Sequence, residues 1–324
     1  MSDLERVVVL AGGLSNEREV SLRSGTRVSA ALRAAGVEAA VWDVDASLID
    51  ELAADPPQVV FPLLHGVAGE DGTVKEILEL LGVPYVGAAP GACRTAFDKA
   101  VAKEVLSRAG VATPASVTLP KAAFHDLGAT AVMARVVERL GLPLFVKPRA
   151  GGSAFGVTRV ERAEELPGAL MTCFGHHDEA LVERAVAGTE IAVAVADLGE
   201  GPRALPAVEI AADGLYDYAA RYTAGAVRFH IPARVPAAVA EEAARVAVRA
   251  HQALGLRHLS RTDAIVDAAG GVWVLETNVA PGLTETSTFP LAVEAAGLDF
   301  GLFCRELAAS AVPSALGAPG AGAR

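Results

Sequence analysis

The stretch LETNVAPG, residues 275–282, ends an apolar run with a carboxylate and a carboxamide. Glu276 and Asn278 are two residues apart, so on an extended chain their side chains lie on the same face. The preceding GVWVL is apolar and typical of a buried strand. Two hard oxygen donors at the end of such a strand indicate either a cation site or a strand end in solvent.

A third oxygen donor joins them if LSRTDAIVD and GVWVLETN form a hairpin around AAGG. With AAGG as the loop, Asp267 pairs with Val272, and Asp263 then lies opposite Glu276. Like charges that face each other in a ladder are destabilising, whereas Mg²⁺ binds carboxylate oxygens and completes its shell with phosphate and water. The pattern therefore favours a magnesium site slightly over a frayed hairpin end or a carboxylate with a raised pKa, and a slip of one residue would separate the acids.

The stretch FVKPRAGGSAFGV, residues 145–157, is a second candidate. Lys147 ends an apolar strand, and Ser153 lies in a loop of small residues whose amides could bind a polyphosphate. The lysine precedes the glycines, so the loop is neither the GxxxxGK[ST] phosphate loop nor a dinucleotide fingerprint. Taken alone, an ordinary glycine-rich hairpin is the better interpretation.

Two further segments follow apolar strands near the N-terminus. AGGLSNEREVSLRSG contains Glu17, with Ser15 or Asn16 as a possible helix cap, and HGVAGEDGT begins with His65. Ligands bind at the carboxyl edge of parallel sheets, where both segments are expected. The alternatives are that Glu17 only caps its helix and that His65 is satisfied by backbone groups.

Two later segments could also line a pocket. Residues 212–233 are polar and aperiodic, which is typical of a lid or binding loop, although a surface excursion is the alternative. Residues 181–193 predict a strand, a short connection and a strand, with Glu183 and Glu190.

Composition limits the function classes. The 324 residues are 52% hydrophobic, enough for two or three packed units. The formal net charge of −11 argues against nucleic-acid and anionic-membrane partners. No apolar run approaches the roughly 20 residues of a membrane helix, and the N-terminus predicts a strand, not a signal peptide. Three scattered cysteines favour a reducing compartment without disulfides or a zinc site.

The elements predict an α/β protein. Strands and helices alternate from residue 6 to about 88, including a helix over 20–35 and a strand at VPYVG, as in a doubly wound parallel sheet. A helix is expected within 93–112 and another over 129–140, followed by GLPLFVKP, the glycine loop and GVTRV. Strands and a helix over 237–254 form the last part, and the glycine-rich tail is expected to be disordered.

Together, in this order and at this spacing, the motifs resemble the D-alanine–D-alanine ligase family of the ATP-grasp superfamily, from about residue 7 to 311. The similarity rests on GGLSNEREVSLRSG, LHGVAGEDGT, FDKAVAK, LFVKPRAGGSAFGV, LYDYAARY, SRTDAIV and LETNVAPGLTETS. It implies an N-terminal Rossmann-like, doubly wound domain (1–88) followed by a two-subdomain ATP-grasp fold. The implied ranges are 89–184 for the central subdomain, 185–312 for the C-terminal subdomain with metal site and lid, and 313–324 for the tail.

The resemblance also implies roles for individual residues. The implied ATP contacts are Lys99, Lys147, Glu183 and Glu190. The implied metal ligands are Asp263, Glu276 and Asn278. The implied catalytic groups are Glu17 with Ser153 and Tyr222 at the first substrate's ammonium, and Arg261 with the Gly282 amide at the oxyanion. The implied substrate contacts are His65, Arg221 in the lid and Ser287, the last for the second substrate's carboxylate.

The reaction implied is the ATP-dependent joining of two D-alanines through an acyl phosphate, for peptidoglycan synthesis in cell wall biogenesis and control of cell shape. The implied cofactors are ATP and two Mg²⁺ ions, which Mn²⁺ could replace, and the implied form is a cytoplasmic homodimer. Ala154 stands where the family usually has a second serine, Arg221 where it has lysine, and Ala219 where it often has an acid. These departures bear on lid closure, turnover and second-substrate choice, and Tyr222 favours a dipeptide over an ester with D-lactate.

The sequence leaves three other functions to be considered. The same fold could join other amino acids, or it could bind nucleotide without turnover. A dinucleotide-dependent oxidoreductase is disfavoured, because the first βαβ region lacks GxGxxG.

Overall fold

Three β-sheets organise the computed structural model, which describes residues 4–212 and 227–312. The first sheet is parallel, as the sequence predicted. Its strands, in spatial order, are β2 (Glu38–Trp42), β1 (Arg6–Leu10) and β3 (Val59–Pro62). The predicted strand VPYVG forms only one parallel bridge, between Val60 and Tyr85.

Helices cover both faces of this sheet, and β1 is accordingly apolar and buried from Val7 to Leu10. Val7 and Val9 pack in one core cluster and Val8 and Leu10 in another, because successive side chains of a strand point to opposite faces. The helices of this region are α1 (Arg18–Ala34), α2 (Leu48–Ala54), α3 (Val67–Glu70) and α4 (Thr73–Leu80).

Two helices, not one, occupy the region predicted as a helix within 93–112. They are α5 (Pro90–Phe97) and α6 (Lys99–Arg108). Asp98 divides them, because its extended backbone ends α5 and its carboxylate accepts hydrogen bonds from the first-turn amides of Ala100 and Val101, both at 3.1 Å.

The second sheet is antiparallel and has four strands. In spatial order they are β4 (Ser116–Pro120), β7 (Glu179–Arg184), β5 (Leu144–Pro148) and β6 (Thr158–Val160). Three helices complete its core, namely α7 (Lys121–Asp126), α8 (Ala129–Leu140) and α9 (Leu166–Phe174).

The third sheet is antiparallel and has six strands. Five follow the spatial order β11 (Val227–His230), β10 (Val208–Ala212), β8 (Thr189–Ala196), β12 (Leu259–Val266) and β13 (Val272–Asn278), and β9 (Arg203–Ala204) pairs with β8. The long helix α10 (Ala237–Ala253) packs on this sheet. The helices α11 (Thr288–Ala295) and α12 (Phe300–Ser310) contribute to the core shared by the first and third sheets.

Part of the predicted structureless stretch 212–233 is strand β11. Residues 213–226, which contain Arg221 and Tyr222, and the tail 313–324 lie outside the described residues. Within the two described ranges, no helix is long and apolar enough to cross a membrane. The domain boundaries given above remain a prediction.

Candidate active site

The hairpin of β12 and β13 differs from the prediction at its loop. Val266, not Asp267, pairs with Val272. Asp267 instead closes the turn, because its carboxylate accepts hydrogen bonds from the Gly271 amide at 2.8 Å and the Trp273 indole at 2.7 Å. The loop is therefore one residue longer than AAGG, and the register beside it is shifted by one.

A β-bulge restores the predicted register further along the hairpin. Ala264 pairs with Val274, but the next pair is Asp263 with Glu276, so Leu275 is the extra residue. Asp263 thus lies opposite Glu276, as predicted. Asn278 follows on the same strand, opposite Arg261.

Basic side chains neutralise these acids. Arg261 donates two hydrogen bonds to Asp263, each at 2.7 Å, and Lys99 Nζ lies 3.5 Å from Glu276. Asn278 Oδ1 accepts a hydrogen bond from the Ala280 amide at 2.7 Å. In the part of the chain that the structure describes, no group of three His, Cys, Asp or Glu side chains could hold a metal ion. Two facing carboxylates and an amide are hard donors that fit Mg²⁺.

A cavity of about 480 Å³ lies between the second and third sheets. The predicted ATP residues Lys99, Lys147, Glu183 and Glu190 all line it, together with Asp263 and Glu276. Apolar walls are formed by Phe145, Ile265 and Leu275, among others. A volume of this size with charges at defined places is typical of a small-molecule site.

Glu183 is held between two lysines at the base of this cavity. It is 1% exposed, forms an ion pair with Lys147, and accepts a hydrogen bond from Lys103 Nζ at 3.0 Å. Burial alone would raise the pKa of Glu183, but the two lysines outweigh burial and hold it below its usual value. Sequence reasoning missed Lys103, although it lies one helical turn after Lys99 on α6.

The glycine-rich loop lies over the same cavity in a strained conformation. Ser153 and Ala154 have φ angles of 49° and 56°, in the left-handed region that non-glycine residues seldom occupy. Lys99 Nζ donates to the Gly151 carbonyl at 2.7 Å. Before the loop, Arg149 Nε donates to Asp98 at 2.9 Å, so the start of α6 and the loop are joined. Strained residues of this kind are frequent at functional sites.

A smaller cavity, of about 70 Å³, shares Lys99, Gly151, Gly152 and Glu276 with the larger one. It is lined by the remaining predicted site residues of the described ranges, which come from segments far apart in the sequence. They are Glu17, His65, Ser153, Arg261, Asn278, Gly282 and Ser287.

Glu17 and Ser153 meet in this cavity. The Ser153 hydroxyl donates a short hydrogen bond to Glu17 Oε1, as the resemblance implied, while Tyr222 lies outside the described residues. Helix α1 begins at Arg18 with Glu17 at the cap position and no side-chain cap bond, so the predicted cap at Ser15 or Asn16 is wrong. The Glu17 carboxylate is therefore turned to the cavity and not to its helix.

Glu70 is a buried acid that sequence reasoning missed, although it lies within HGVAGEDGT. Burial, and then the charge of Glu17, raises the pKa of Glu70 to about 7. One of its oxygens accepts a hydrogen bond from the Gly66 amide at 3.0 Å. Burial lowers the pKa of the neighbouring His65 to about 4. The neutral His65 ring donates from Nδ1 to the Ala280 carbonyl at 3.1 Å, and its buried Nε2 has no partner within the described ranges.

Helix α1 also anchors the loop that follows β13. Arg27 donates to the Thr284 carbonyl at 2.8 Å. Ser287 Oγ lies 2.8 Å from the Thr284 hydroxyl. A Cβ at Gly282 would lie 2.8 Å from Ser287 Oγ, so the Ser287 hydroxyl would have to shift to accept any side chain there. Arg27 was also missed, because an arginine on an amphipathic helix gives no signal of its own.

Comparison with known proteins decides the family. The family model described as D-ala D-ala ligase C-terminus matches residues 105–308, and the one described as D-ala D-ala ligase N-terminus matches residues 44–88. The chain belongs to the D-alanine–D-alanine ligase family. This is a family of ATP-dependent ligases, so the predicted family and enzyme class are confirmed.

Several members of the family are similar to this chain over nearly its whole length. The D-alanine–D-alanine ligase of Bordetella petrii is 41% identical, over 95% of this chain and 92% of its own. That of Desulforudis audaxviator is 42% identical, over 92% and 95%.

Solved structures of the family confirm the ATP-grasp fold. The VanG D-Ala:D-Ser ligase of Enterococcus faecalis has a TM-score of 0.81 at 29% identity, covering 95% of this chain and 99% of its own. The Bacillus anthracis D-alanine–D-alanine ligase complexed with ATP has a TM-score of 0.79 at 26% identity, covering 94% and 96%.

Proposed function

We propose that this chain joins two molecules of D-alanine at the expense of ATP, giving D-alanyl-D-alanine, ADP and phosphate for peptidoglycan synthesis in the cytoplasm. One observation supports the proposal independently of family membership. All site residues that the resemblance implies, within the described ranges, line two cavities that share Lys99, Gly151, Gly152 and Glu276. A large cavity joined to a small one suits the transfer of a phosphoryl group from a nucleotide to an amino acid.

ATP binds in the larger cavity in this proposal. Lys99 and Lys147 contact its phosphates and the adenine side of the pocket, and Glu183 and Glu190 hold the adenine amino group and the ribose. The glycine-rich loop offers its amides to the phosphates.

Asp263, Glu276 and Asn278 would hold Mg²⁺, as two ions, with Mn²⁺ able to replace them. When bound, the metal neutralises the charge of the phosphates, which is the main requirement of phosphoryl transfer. Arg261 and Lys99 already face the two carboxylates, so positive charge surrounds the place where the phosphate oxygens would lie.

The first D-alanine binds in the smaller cavity. Glu17 accepts its ammonium group and is itself held by Ser153, while His65 lines the pocket beside them. The resemblance also implies substrate contacts for Arg221 and Tyr222, which lie outside the described residues. The carboxylate of the second D-alanine binds at Ser287 and the neighbouring backbone.

The order of events follows from the leaving group. An amine cannot displace oxide from a carboxylate, so the γ-phosphoryl group first passes to the carboxylate of the first D-alanine. The amine of the second D-alanine then attacks the acyl carbon and phosphate leaves. Arg261 and the Gly282 amide face the oxyanion of this step, where one donor is typically worth ~3–4 kcal/mol. Exclusion of water protects the acyl phosphate from hydrolysis.

We also propose that the chain has three domains, with the ranges 1–88, 89–184 and 185–312, and that it forms a homodimer. Sedimentation velocity of the purified chain would test the dimer.

The reaction itself is tested by mass spectrometry of the products formed from ATP, Mg²⁺ and D-alanine. Parallel reactions contain L-alanine, D-serine or D-lactate. A product with the mass of D-alanyl-D-alanine, formed in step with ADP and absent with L-alanine, supports the proposal. Nucleotide binding without ADP release in any reaction would instead indicate a nucleotide-binding homologue.

A second candidate keeps the chemistry and changes the second substrate. The likeness to a D-Ala:D-Ser ligase, which covers 95% of this chain at 29% identity, makes D-serine the alternative in that position. The parallel reaction with both D-alanine and D-serine separates the two candidates.

A further inference from the structure

Thr288 is the first residue of α11 and lines the smaller cavity directly beside Ser287. It is 5% exposed. Its hydroxyl oxygen is buried and has no hydrogen-bond partner among the residues that the structure describes. A buried polar group without a partner is costly, and in a native protein it calls for an explanation.

The adjacent Ser287 hydroxyl does not provide that partner. The hydroxyl of Ser287 is engaged with Thr284, whose amide donates to it at 3.2 Å and whose hydroxyl lies 2.8 Å away. Among the described residues that line this cavity, His65 also has a buried atom without a partner, Nε2. Two residues on the wall of one small cavity thus each have an unsatisfied polar atom, which points to a ligand with hydrogen-bonding groups of its own.

The side chain of D-alanine is a methyl group, which offers no hydrogen bond to the threonine hydroxyl. D-Serine has the same skeleton and adds one hydroxyl, which can donate to or accept from Thr288 Oγ1. A site with a buried polar group discriminates in favour of the substrate that pairs with this group.

We propose that Thr288 determines specificity for the second substrate, and that its hydroxyl hydrogen-bonds the side-chain hydroxyl of a D-amino acid such as D-serine. This inference rests on the proposed ligase activity and on Ser287 as the place of the second substrate's carboxylate. It makes the chain a ligase that accepts a hydroxylated second substrate beside D-alanine.

The test is a competition between two second substrates. The protein is given ATP, Mg²⁺ and equal concentrations of D-alanine and D-serine, and the ratio of D-alanyl-D-serine to D-alanyl-D-alanine is measured by mass spectrometry. Thr288→Val removes the hydroxyl with almost no change of volume, Thr288→Ala also removes it, and Thr288→Ser keeps it. We expect both hydroxyl-free variants to lower the ratio roughly tenfold, the effect of one hydrogen bond, and Thr288→Ser to retain the ratio of the unaltered chain.

Two results would overturn this inference while the ligase reaction stands. An equal ratio in all four proteins means that the hydroxyl does not contact the distinguishing group. Equal loss of both products in Thr288→Val and Thr288→Ala means that it serves the carboxylate common to both substrates. If the unaltered chain forms neither dipeptide, the proposed function fails, and the inference fails with it.

Discussion

Asp263 lies directly opposite Glu276 in the antiparallel pair of β12 and β13, and a bulge at Leu275 places it there. Two carboxylates in such positions repel each other unless positive charge lies near them. Here Arg261 pairs with one and Lys99 lies 3.5 Å from the other. The two basic side chains offset the repulsion between the acids, and the arrangement fits the cation site proposed above.

Apart from the Asp263–Glu276 pair, Glu183 is the acid whose replacement by a neutral side chain should cost the protein most stability. Replacing it with glutamine leaves Lys147 and Lys103 buried without their counter-charge. Removal of one partner of a buried ion pair typically lowers the free energy of unfolding by about 3–5 kcal/mol. We expect Glu183→Gln to lower the free energy of unfolding by that order, and to raise the KM for ATP, as measured by urea denaturation and by ADP release.

The matched control is Glu104→Gln on α6, the helix that also contains Lys103. Glu104 pairs with Arg108, and both side chains are mostly exposed. Exposed pairs of this kind are worth less than about 1 kcal/mol. Equal stability losses in the two variants would contradict the buried ionic cluster described here.

Stability should depend on pH through Glu70. Its pKa is raised by burial from an ordinary value of 4.5 to about 7. The native state therefore binds more protons than the unfolded state between these values, and stability is lost as pH rises from about 4.5 to 7. The shift corresponds to ~3 kcal/mol.

Thermal denaturation at pH 5 and pH 8 would measure this dependence. We expect Glu70→Gln to remove part of the loss seen between these pH values. The exposed Glu76→Gln on α4 should retain the whole of it. If Glu70→Gln and the unaltered chain show the same slope, Glu70 is ionised in the native state over this range.

Gly69 illustrates a position where the backbone leaves no space. A Cβ there would lie 2.0 Å from the Leu64 carbonyl oxygen, which belongs to the backbone before His65. Because the backbone must move to accept it, we expect Gly69→Ala to cost more than about 2 kcal/mol and to disturb the smaller cavity.

Gly91 is the control for this substitution. It lies in the first turn of α5, and a Cβ there meets no atom within 4 Å. Gly91→Ala should leave the melting temperature unchanged or raise it, since alanine favours helix. A fall in melting temperature comparable to that of Gly69→Ala would show that general loss of glycine, not the contact with Leu64, is responsible.

Most of the fold and of the candidate site could be predicted from the sequence motifs. The parallel sheet followed from apolar strands that alternate with helices, and the predicted site residues within the described ranges all line the two cavities. The resemblance supplied their identities, because type and spacing alone left most of them as plausible loop residues. The spacing of side chains in the sequence does not indicate the chirality of the substrate.

The features that escaped prediction depend on contacts between distant segments. The bulge at Leu275 has no local signal in the sequence. Counting residues from the turn therefore predicted the wrong loop, but it predicted the correct pair of acids because the bulge restores the register. Glu70 and Lys103 are acidic and basic residues on helices, and only the fold shows that they are buried. That Thr288 Oγ1 has no hydrogen-bond partner among the described residues is likewise visible only in the fold.

The central claim is that Asp263, Glu276 and Asn278 support an ATP-dependent reaction of D-alanine. Its most direct test is the rate of ADP release with Mg²⁺, ATP and D-alanine, in the unaltered chain and in Glu276→Gln. We expect turnover that requires both Mg²⁺ and D-alanine, and a loss of at least about 100-fold in the variant, since charge neutralisation dominates phosphoryl transfer. Equal rates in the two proteins, or ADP release that is indifferent to D-alanine, would contradict the account.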